Sequence, residues 1–426
     1  MRVIDIQKYL AKFFKGTKNP SLKAMEFFMD KFAHPENELK AIHIAGTNGK
    51  GSITEMITKV LINAGYKVGK FISPHLVRYN ERISVNNKNI SDMEMEELIK
   101  RINPKIEEYN SKNDVPVTLF ELETTMAFLY FKEKNCDFIV LETGLGGLYD
   151  CTNICKPIVS IISSIGYDHM HILGKTLSEI ATQKAGIIKE NSNTIFVRQE
   201  DEVNQVIQDT CNRKNNNLHI VSEENIKNYS YDKSYQKFDY KHFENILVNL
   251  KGYKQCINAS VVIECIDILN KVGYKIGEEE IKKALKTIVH KARFEIINKK
   301  PLMIYDGAHN EPAINNLKNT INMYYKNNKK LYIVSILKTK DYKSMVKRLC
   351  DDTEAIYIFT NGNDDNRYVD KLELLRTAKM YLKSPNLFEM NLQDSIAISK
   401  NKYKEYTIFI VGSFYIYGDV LKYKKQ

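Results

Sequence analysis

A chain of 426 residues is longer than one core comfortably supports, so two domains are the starting expectation. Its 43% hydrophobic and 27% charged content describes a soluble globular protein, no window approaches the roughly 20 apolar residues a membrane helix needs, and Met1-Arg2-Val3-Ile4-Asp5 lacks a signal peptide's apolar core, so a cytoplasmic protein without a membrane partner is expected. The net charge of +11 suits anionic small substrates or nucleic acid, but the lysines are thinly spread, and Lys299-Lys300, Lys329-Lys330 and Lys424-Lys425 read as solvated surface, which argues against a nucleic-acid partner.

Residues 1–39 read as helical and peripheral, with a stripe of Ala24, Phe27, Phe28 and Phe32 beside Met25 and Met29 that ends near Pro35. Lys40-Ala41-Ile42-His43-Ile44 predicts a buried strand. Ile53, Met56, Ile57, Val60 and Leu61 recur at helical spacing and stop at Gly65. Between them lies Ala45-Gly46-Thr47-Asn48-Gly49-Lys50-Gly51-Ser52. Strand, small-residue loop, helix is the setting in which a loop holds phosphate. Glycines let backbone N–H groups approach anionic oxygens, Lys50 supplies a mobile positive charge, and Ser52 offers a hydroxyl to a phosphate-bound cation. The match to G-x-x-x-x-G-K-[ST] is imperfect: Ile44 stands at the first glycine, and Gly51 separates Lys50 from Ser52.

Val68 to Ile72 predicts a second strand ending at Ser73-Pro74-His75, and Leu76 to Ile83 a loop with its own structure. Ser91 with Glu94 has capping-box spacing and starts a helix, and Leu119 to Lys132 forms another. Asp137 to Glu142 is an apolar strand tipped by a carboxylate, followed by Thr143-Gly144-Leu145-Gly146-Gly147. Strands at 158–163 and 194–197 follow, and apolar runs alternating with helices point to a parallel sheet. Ligands bind outside the carboxyl ends of such strands. Four ends collect polar chemistry: Gly46, Ser73, Glu142 and Gly166-Tyr167-Asp168-His169. Residues 200–250 are Asn- and Lys-rich and yield only a short strand near Leu218–Val221. A helix over 259–269 precedes a reset near Lys291-Ala292-Arg293, after which Leu302 to Asp306 opens a second α/β unit with strands at 331–337, 355–360 and 407–411. These readings place domains at 1–295 and 296–426. The seven cysteines are scattered without a C-x-x-C pair and read as reduced thiols.

Ile42 to Ser52, Ser73-Pro74-His75-Leu76, Asn80-Glu81-Arg82-Ile83, Glu142 to Gly147, Asp150 to Asn153, Asp168-His169, Lys184 to Lys189, Gln255 with Asn258-Ala259, Arg293-Phe294-Glu295, Asp306-Gly307-Ala308-His309-Asn310 and Gly412-Ser413-Phe414-Tyr415 stand in one order. In that order the chain resembles the folylpolyglutamate synthase and dihydrofolate synthase family of the Mur ligase superfamily. The departures are Leu148 where the family has Arg, Gln183 where it has Glu, Lys291-Ala292 where Pro-Gly is common, and no glycine near Ser21-Leu22.

The resemblance implies a P-loop, Mur-ligase-like parallel-sheet ATPase domain followed by a smaller Rossmann-like α/β domain, with the active site in the cleft between them. It implies an ATP-dependent ligase, acting as a monomer, that adds L-glutamate to reduced folate and to dihydropteroate through an acyl phosphate. Thr47, Asn48, Gly49, Lys50, Gly51 and Ser52 would cradle phosphate. Ser73, Glu142 and His169, with Ser52, match magnesium ligands, and two Mg²⁺ ions are implied. Lys184 matches a lysine carbamylated in the superfamily and joins Lys50 and His169 as catalytic. Asn258, Arg293, Asp306 and His309 match nucleotide-binding positions, with Asp306 placed to accept ribose hydroxyls. Thr118, Leu119, Phe120, Glu121, Tyr149, Asp150 and Cys151 match the pterin side, and Ser413 the incoming glutamate. The competing readings are a Mur-type ligase for a cell-wall precursor or cyanophycin-like substrate, and a P-loop NTPase serving as a nucleic-acid-binding or regulatory module.

Overall fold

The computed structural model describes residues 6–13, 21–362 and 366–424. The N-terminal pentapeptide and Lys425 lie outside them. Eight strands form the first sheet: β1 (Ala41–Ala45), β2 (Val68–Phe71), β3 (Ile83–Val85), β4 (Lys88–Asn89), β5 (Phe138–Glu142), β6 (Pro157–Ile162), β7 (Asn193–Val197) and β8 (Asn217–Val221), in the order β4-β3-β2-β5-β1-β6-β7-β8. The six strands from β2 to β8 are parallel, as their apolar runs predict. All five residues of β1 are buried because both faces are covered. Ile42 and Ile44 face a core shared with the helices Lys50–Asn63 and Lys254–Lys271, while Ala41 and Ala45 belong to cores on the opposite face. The chain leaves β1 for β2 on one side and reaches β6 on the other, so the loop after β1 opens at a topological switch point.

The structure corrects the sequence reading in three places. The segment 76–83 is not only a loop: a 3₁₀ turn, Tyr79–Arg82, leads into β3, which with β4 adds an antiparallel edge. Residues 201–213 form a helix whose only buried residues are Val203, Ile207, Thr210 and Cys211, a stripe too narrow to stand out among its Asp, Glu, Asn and Gln neighbours. Three antiparallel strands follow, β9 (Ile226–Tyr231), β10 (Gln236–Tyr240) and β11 (Phe243–Val248), with inward Phe238, Tyr240, Ile246 and Val248 completing the first core.

The second sheet runs β12-β13-β17-β14-β15-β16, from β12 (Glu295–Lys299), β13 (Leu302–Asp306), β14 (Lys330–Val334), β15 (Ile356–Phe359), β16 (Leu387–Glu389) and β17 (Thr407–Val411). Only β12 is antiparallel. Alternate residues divide between two faces, Tyr332 and Val334 on one, Leu331 and Ile333 on the other. The expected helices match local signals: Ser91 and Thr118 each cap a helix through a reciprocal capping box with Glu94 and Glu121. The early stripe folds as Lys23–Lys31, burying Ala24, Met25, Phe28 and Met29, and the chain turns through left-handed Ala33 and His34 before Pro35. No helix among the described residues is long and apolar enough to cross a membrane.

Candidate active site

The loop after β1 is fixed by its neighbour, the end of β6. Thr47 N–H donates to Ser164 O at 2.7 Å, and its hydroxyl donates to Gly166 O at 3.1 Å while accepting from Gly166 N–H. The Ser163 and Ser164 hydroxyls both donate to Asn48 O. Gly49 caps the helix Lys50–Asn63 with φ of 93°, and a Cβ there would stand 2.9 Å from Asn258 Oδ1. Glycine is therefore required by conformation and by the closeness of Asn258.

A cavity of about 130 Å³ opens over this loop, lined by residues 46–51, Ser73, Glu142, Asp168, His169, Lys184, Arg293, His309 and Phe414. The Nζ atoms of Lys50 and Lys184 both donate to Gly46 O, at 3.0 and 2.9 Å. Lys184 is buried, and burial with the charge of Lys50 brings its pKa down to about 7. Glu142, tipping β5, is buried with Lys50 Nζ 4.0 Å away, and burial pushes its carboxyl up to about 7 against the pull of Lys50 and Arg293. Burial and the Lys340 charge lower His169 to about 4, leaving a neutral imidazole.

The second domain closes this cavity with groups that the sequence reading did not assign. Lys340, in the loop after β14, ion-pairs with both oxygens of Asp168 at 2.7 and 3.0 Å and stands 3.2 Å from His169 Nε2. The amides of Asn48 and Asn310 are paired, and Asn310 also donates to Asp168. Asn310 caps the helix Glu311–Tyr325. Arg293 lies between left-handed Ala292 and Phe294, an arrangement that costs conformational energy. Its guanidinium sits 4.4 Å from the centre of the Phe414 ring. The Asp306 oxygens each accept a backbone N–H at 2.8 Å, from Phe294 and Ala308, so Asp306 holds the linker that carries Arg293. A second cavity, of about 270 Å³, adjoins the first and is lined by Asn48, Gly49, Ser52, Asn258, Arg293 and Asp306 among others.

The residues matched to the pterin side line neither cavity. Thr118 and Glu121 are spent on their capping box. Phe120 covers Gly144, where a Cβ would meet its ring at 2.6 Å, and Leu119 packs beside it. Asp150 accepts from Leu145 N–H and Thr152 N–H and so shapes the glycine loop, with Cys151 half-buried and Tyr149 exposed beside it. Ser413 is buried, its hydroxyl accepting from Tyr415 N–H.

Among the described residues no three of His, Cys, Asp and Glu converge as a ready-made metal cage. The donors lining the first cavity are instead mixed: the Ser73 hydroxyl, the Glu142 carboxylate and the His169 imidazole. A buried carboxylate whose ionisation is penalised, facing a cavity beside a neutral imidazole, fits a divalent cation that keeps waters and phosphate oxygens in its shell.

Residues 44–266 match the Mur ligase middle domain and residues 289–423 the dihydrofolate synthetase C-terminal domain. The chain is 35% identical to the dihydrofolate synthase/folylpolyglutamate synthase of Bacillus subtilis over 98% of each. It superposes on folylpolyglutamate synthase from Thermotoga maritima with a TM-score of 0.83 at 29% identity, covering 99% of this chain and 96% of that one. For E. coli FolC in complex with DHPP and ADP the TM-score is 0.85 at 25% identity, over 99% and 97%. With the phosphate loop, the two-sheet cleft and full-length similarity in agreement, the chain belongs to the dihydrofolate synthase/folylpolyglutamate synthase family of Mur-type ligases.

Proposed function

We infer that this chain is an ATP-dependent ligase that joins L-glutamate to folate, and that it accepts dihydropteroate as well as tetrahydrofolate. The observation that carries the reading is the convergence of Lys50, Lys184, Glu142, His169 and Arg293 on one cavity at the carboxyl ends of strands from both sheets. We set the domain boundary at about residue 295, a choice supported by the start of the second sheet's first strand, β12, at Glu295. The chain is taken to act as a monomer in the cytoplasm, a reducing compartment that suits its seven unpaired cysteines.

A carboxylate is a poor acyl donor. Its oxygen attacks the γ-phosphorus of ATP, ADP leaves, and an acyl phosphate forms. The amine of L-glutamate then attacks the acyl carbon, a proton is lost, and phosphate departs as the amide forms. Charge on the transferring phosphoryl oxygens is the main obstacle, and preorganised cations are the remedy. Lys50, the loop N–H groups and Arg293 supply them, with ATP extending into the larger cavity beside Asn258 and Asp306. Ser52, Ser73, Glu142 and His169 would hold Mg²⁺, two ions in all, which when bound would offset phosphate charge. Lys184, with its lowered pKa of about 7, has a populated neutral amine that can take up CO₂. His309 Nδ1 donates to Gly307 O at 2.9 Å, and the ring lines the cavity where it would touch the nucleotide or a phosphate. The test is to supply ATP and L-glutamate with dihydropteroate or tetrahydrofolate separately and read products by mass. A glutamate-sized increment and stoichiometric ADP are expected with each; no ADP with either substrate overturns the reading.

A further inference from the structure

Three residues before Arg293, the interdomain linker turns a side chain back onto the phosphate loop. His290 Nδ1 lies 3.2 Å from Ser52 Oγ. The imidazole also rests against Gly51: a Cβ there would meet Cε1 at 3.2 Å and Nε2 at 3.4 Å. The same point is 3.7 Å from Glu142 Oε2. The extra glycine that separates Lys50 from Ser52 therefore lets the loop lie close to both His290 and the carboxylate of the first cavity. A Cβ at 51 would press the His290 ring back by a few tenths of an ångström while only touching Glu142.

Ser52 is buried and has one proton and two lone pairs to place. The only side-chain hydrogen bond shown for its hydroxyl, among the described residues, is the one to His290. An imidazole with its proton on Nε2 offers Nδ1 as an acceptor, so the hydroxyl donates to it. The oxygen lone pairs then face away from His290. Ser52 also lines the larger cavity, which adjoins the phosphate loop.

We propose that His290 is a positioning residue of the nucleotide site, one that fixes the Ser52 hydroxyl so that its oxygen faces a divalent cation carried by the nucleotide phosphates. Outer partners of this kind orient a ligand atom without touching the ion, and their loss typically costs about 10–100-fold in metal affinity. The proposal rests on the reading of the cleft as an ATP site.

The experiment is calorimetric titration of the whole chain with ADP, with and without Mg²⁺, and with Mn²⁺ as a second probe. In the unaltered protein Mg²⁺ should tighten ADP binding. His290→Phe should cut that gain by about tenfold, while affinity for ADP alone stays within about twofold. His290→Asn, which restores a side-chain acceptor, should recover most of the gain. In a Ser52→Ala background His290→Phe should have no further effect. Equal weakening with and without the cation would show a packing role and overturn the proposal, as would a full Mg²⁺ gain in His290→Phe. An unaltered protein that binds no ADP under either condition would instead overturn the nucleotide site itself. Melting curves identify any variant that fails to fold; if His290→Phe is one, His290→Leu, which likewise removes the acceptor, replaces it in the same titration.

Discussion

The two edges of the cleft contrast sharply. At the phosphate edge, side chains from β1, β5, β6 and the second domain leave their own elements and meet over one small cavity. At the edge formed by 118–121 and 149–151, the polar groups turn inward and satisfy neighbouring backbone. The first edge concentrates unbalanced charge: two lysines on a single carbonyl, and a carboxyl and an amine whose pKa values have both been driven to about 7. At the second edge the buried carboxyls of Glu121 and Asp150 are likewise penalised by burial, but hydrogen bonds from nearby backbone oppose it. Both edges bury carboxyls that burial penalises, but at the first they face a cavity, whereas at the second Glu121 and Asp150 are occupied by hydrogen bonds to the nearby chain.

The contrast breaks if the phosphate edge can lose its charges without consequence. Lys184→Ala should abolish turnover, by about a hundredfold or more, and Lys184→Glu should retain some activity if the working form of Lys184 is anionic. Equal loss in both variants would remove the anionic role. Steady-state ADP release measures it.

The cost of the arrangement can be measured through Glu142. Folding raises its carboxyl from 4.5 to about 7. Between those values the folded protein holds a proton that the unfolded chain has lost, so this group lowers stability progressively as pH rises from 4.5, and the full penalty stands above about 7. Glu142→Gln removes the charge. It should raise the melting temperature of the ligand-free protein at pH 8 by several degrees and by much less at pH 5, while cutting turnover by about a hundredfold. An identical change at both pH values would show that the carboxylate is not penalised.

Next in size is the bridge between domains. Asn310 caps its helix, pairs with Asn48 and donates to Asp168. Asn310→Ala should cost about 1–2 kcal/mol in denaturant unfolding from the lost cap, and should lower kcat more than it raises KM for ATP. An unchanged kcat would reduce Asn310 to a helix cap.

Much of the phosphate edge was legible because its signals are local. A strand, a glycine loop and a helix lie consecutively, and the stripe from Ile53 to Leu61 shows the helix outright. Lys340 was not legible: its partner Asp168 is 172 residues away, and one lysine in a lysine-rich chain carries no mark. His290 was equally silent, since only the folded linker brings it to Ser52. The strands β9 to β11 were hidden because their inward residues alternate with Lys, Asn and Asp, left-handed Asn228 and Asn245 break the register inside β9 and β11, and left-handed Lys241 makes the turn between β10 and β11, all of which read as loop composition. Asp306 was visible at a strand end, but not that both its oxygens would be occupied by backbone.

The smallest expected effect tests the quiet edge. Thr118 accepts from Glu121 N–H, and the Glu121 carboxylate accepts from the Thr118 N–H and hydroxyl. Burial raises the Glu121 pKa while those two donors oppose it. Thr118→Ala removes the cap and should cost about 1 kcal/mol. If this edge works through loop shape, the frayed helix start shifts Phe120 off Gly144, KM for the pterin substrate rises a few-fold, and kcat and KM for ATP stay unchanged. If Thr118 instead contacts the substrate directly, Thr118→Ser, which keeps the capping hydroxyl and deletes only a methyl group, should still lose part of that affinity. Full recovery in Thr118→Ser, with stability restored alongside KM, is the outcome that the capping geometry requires.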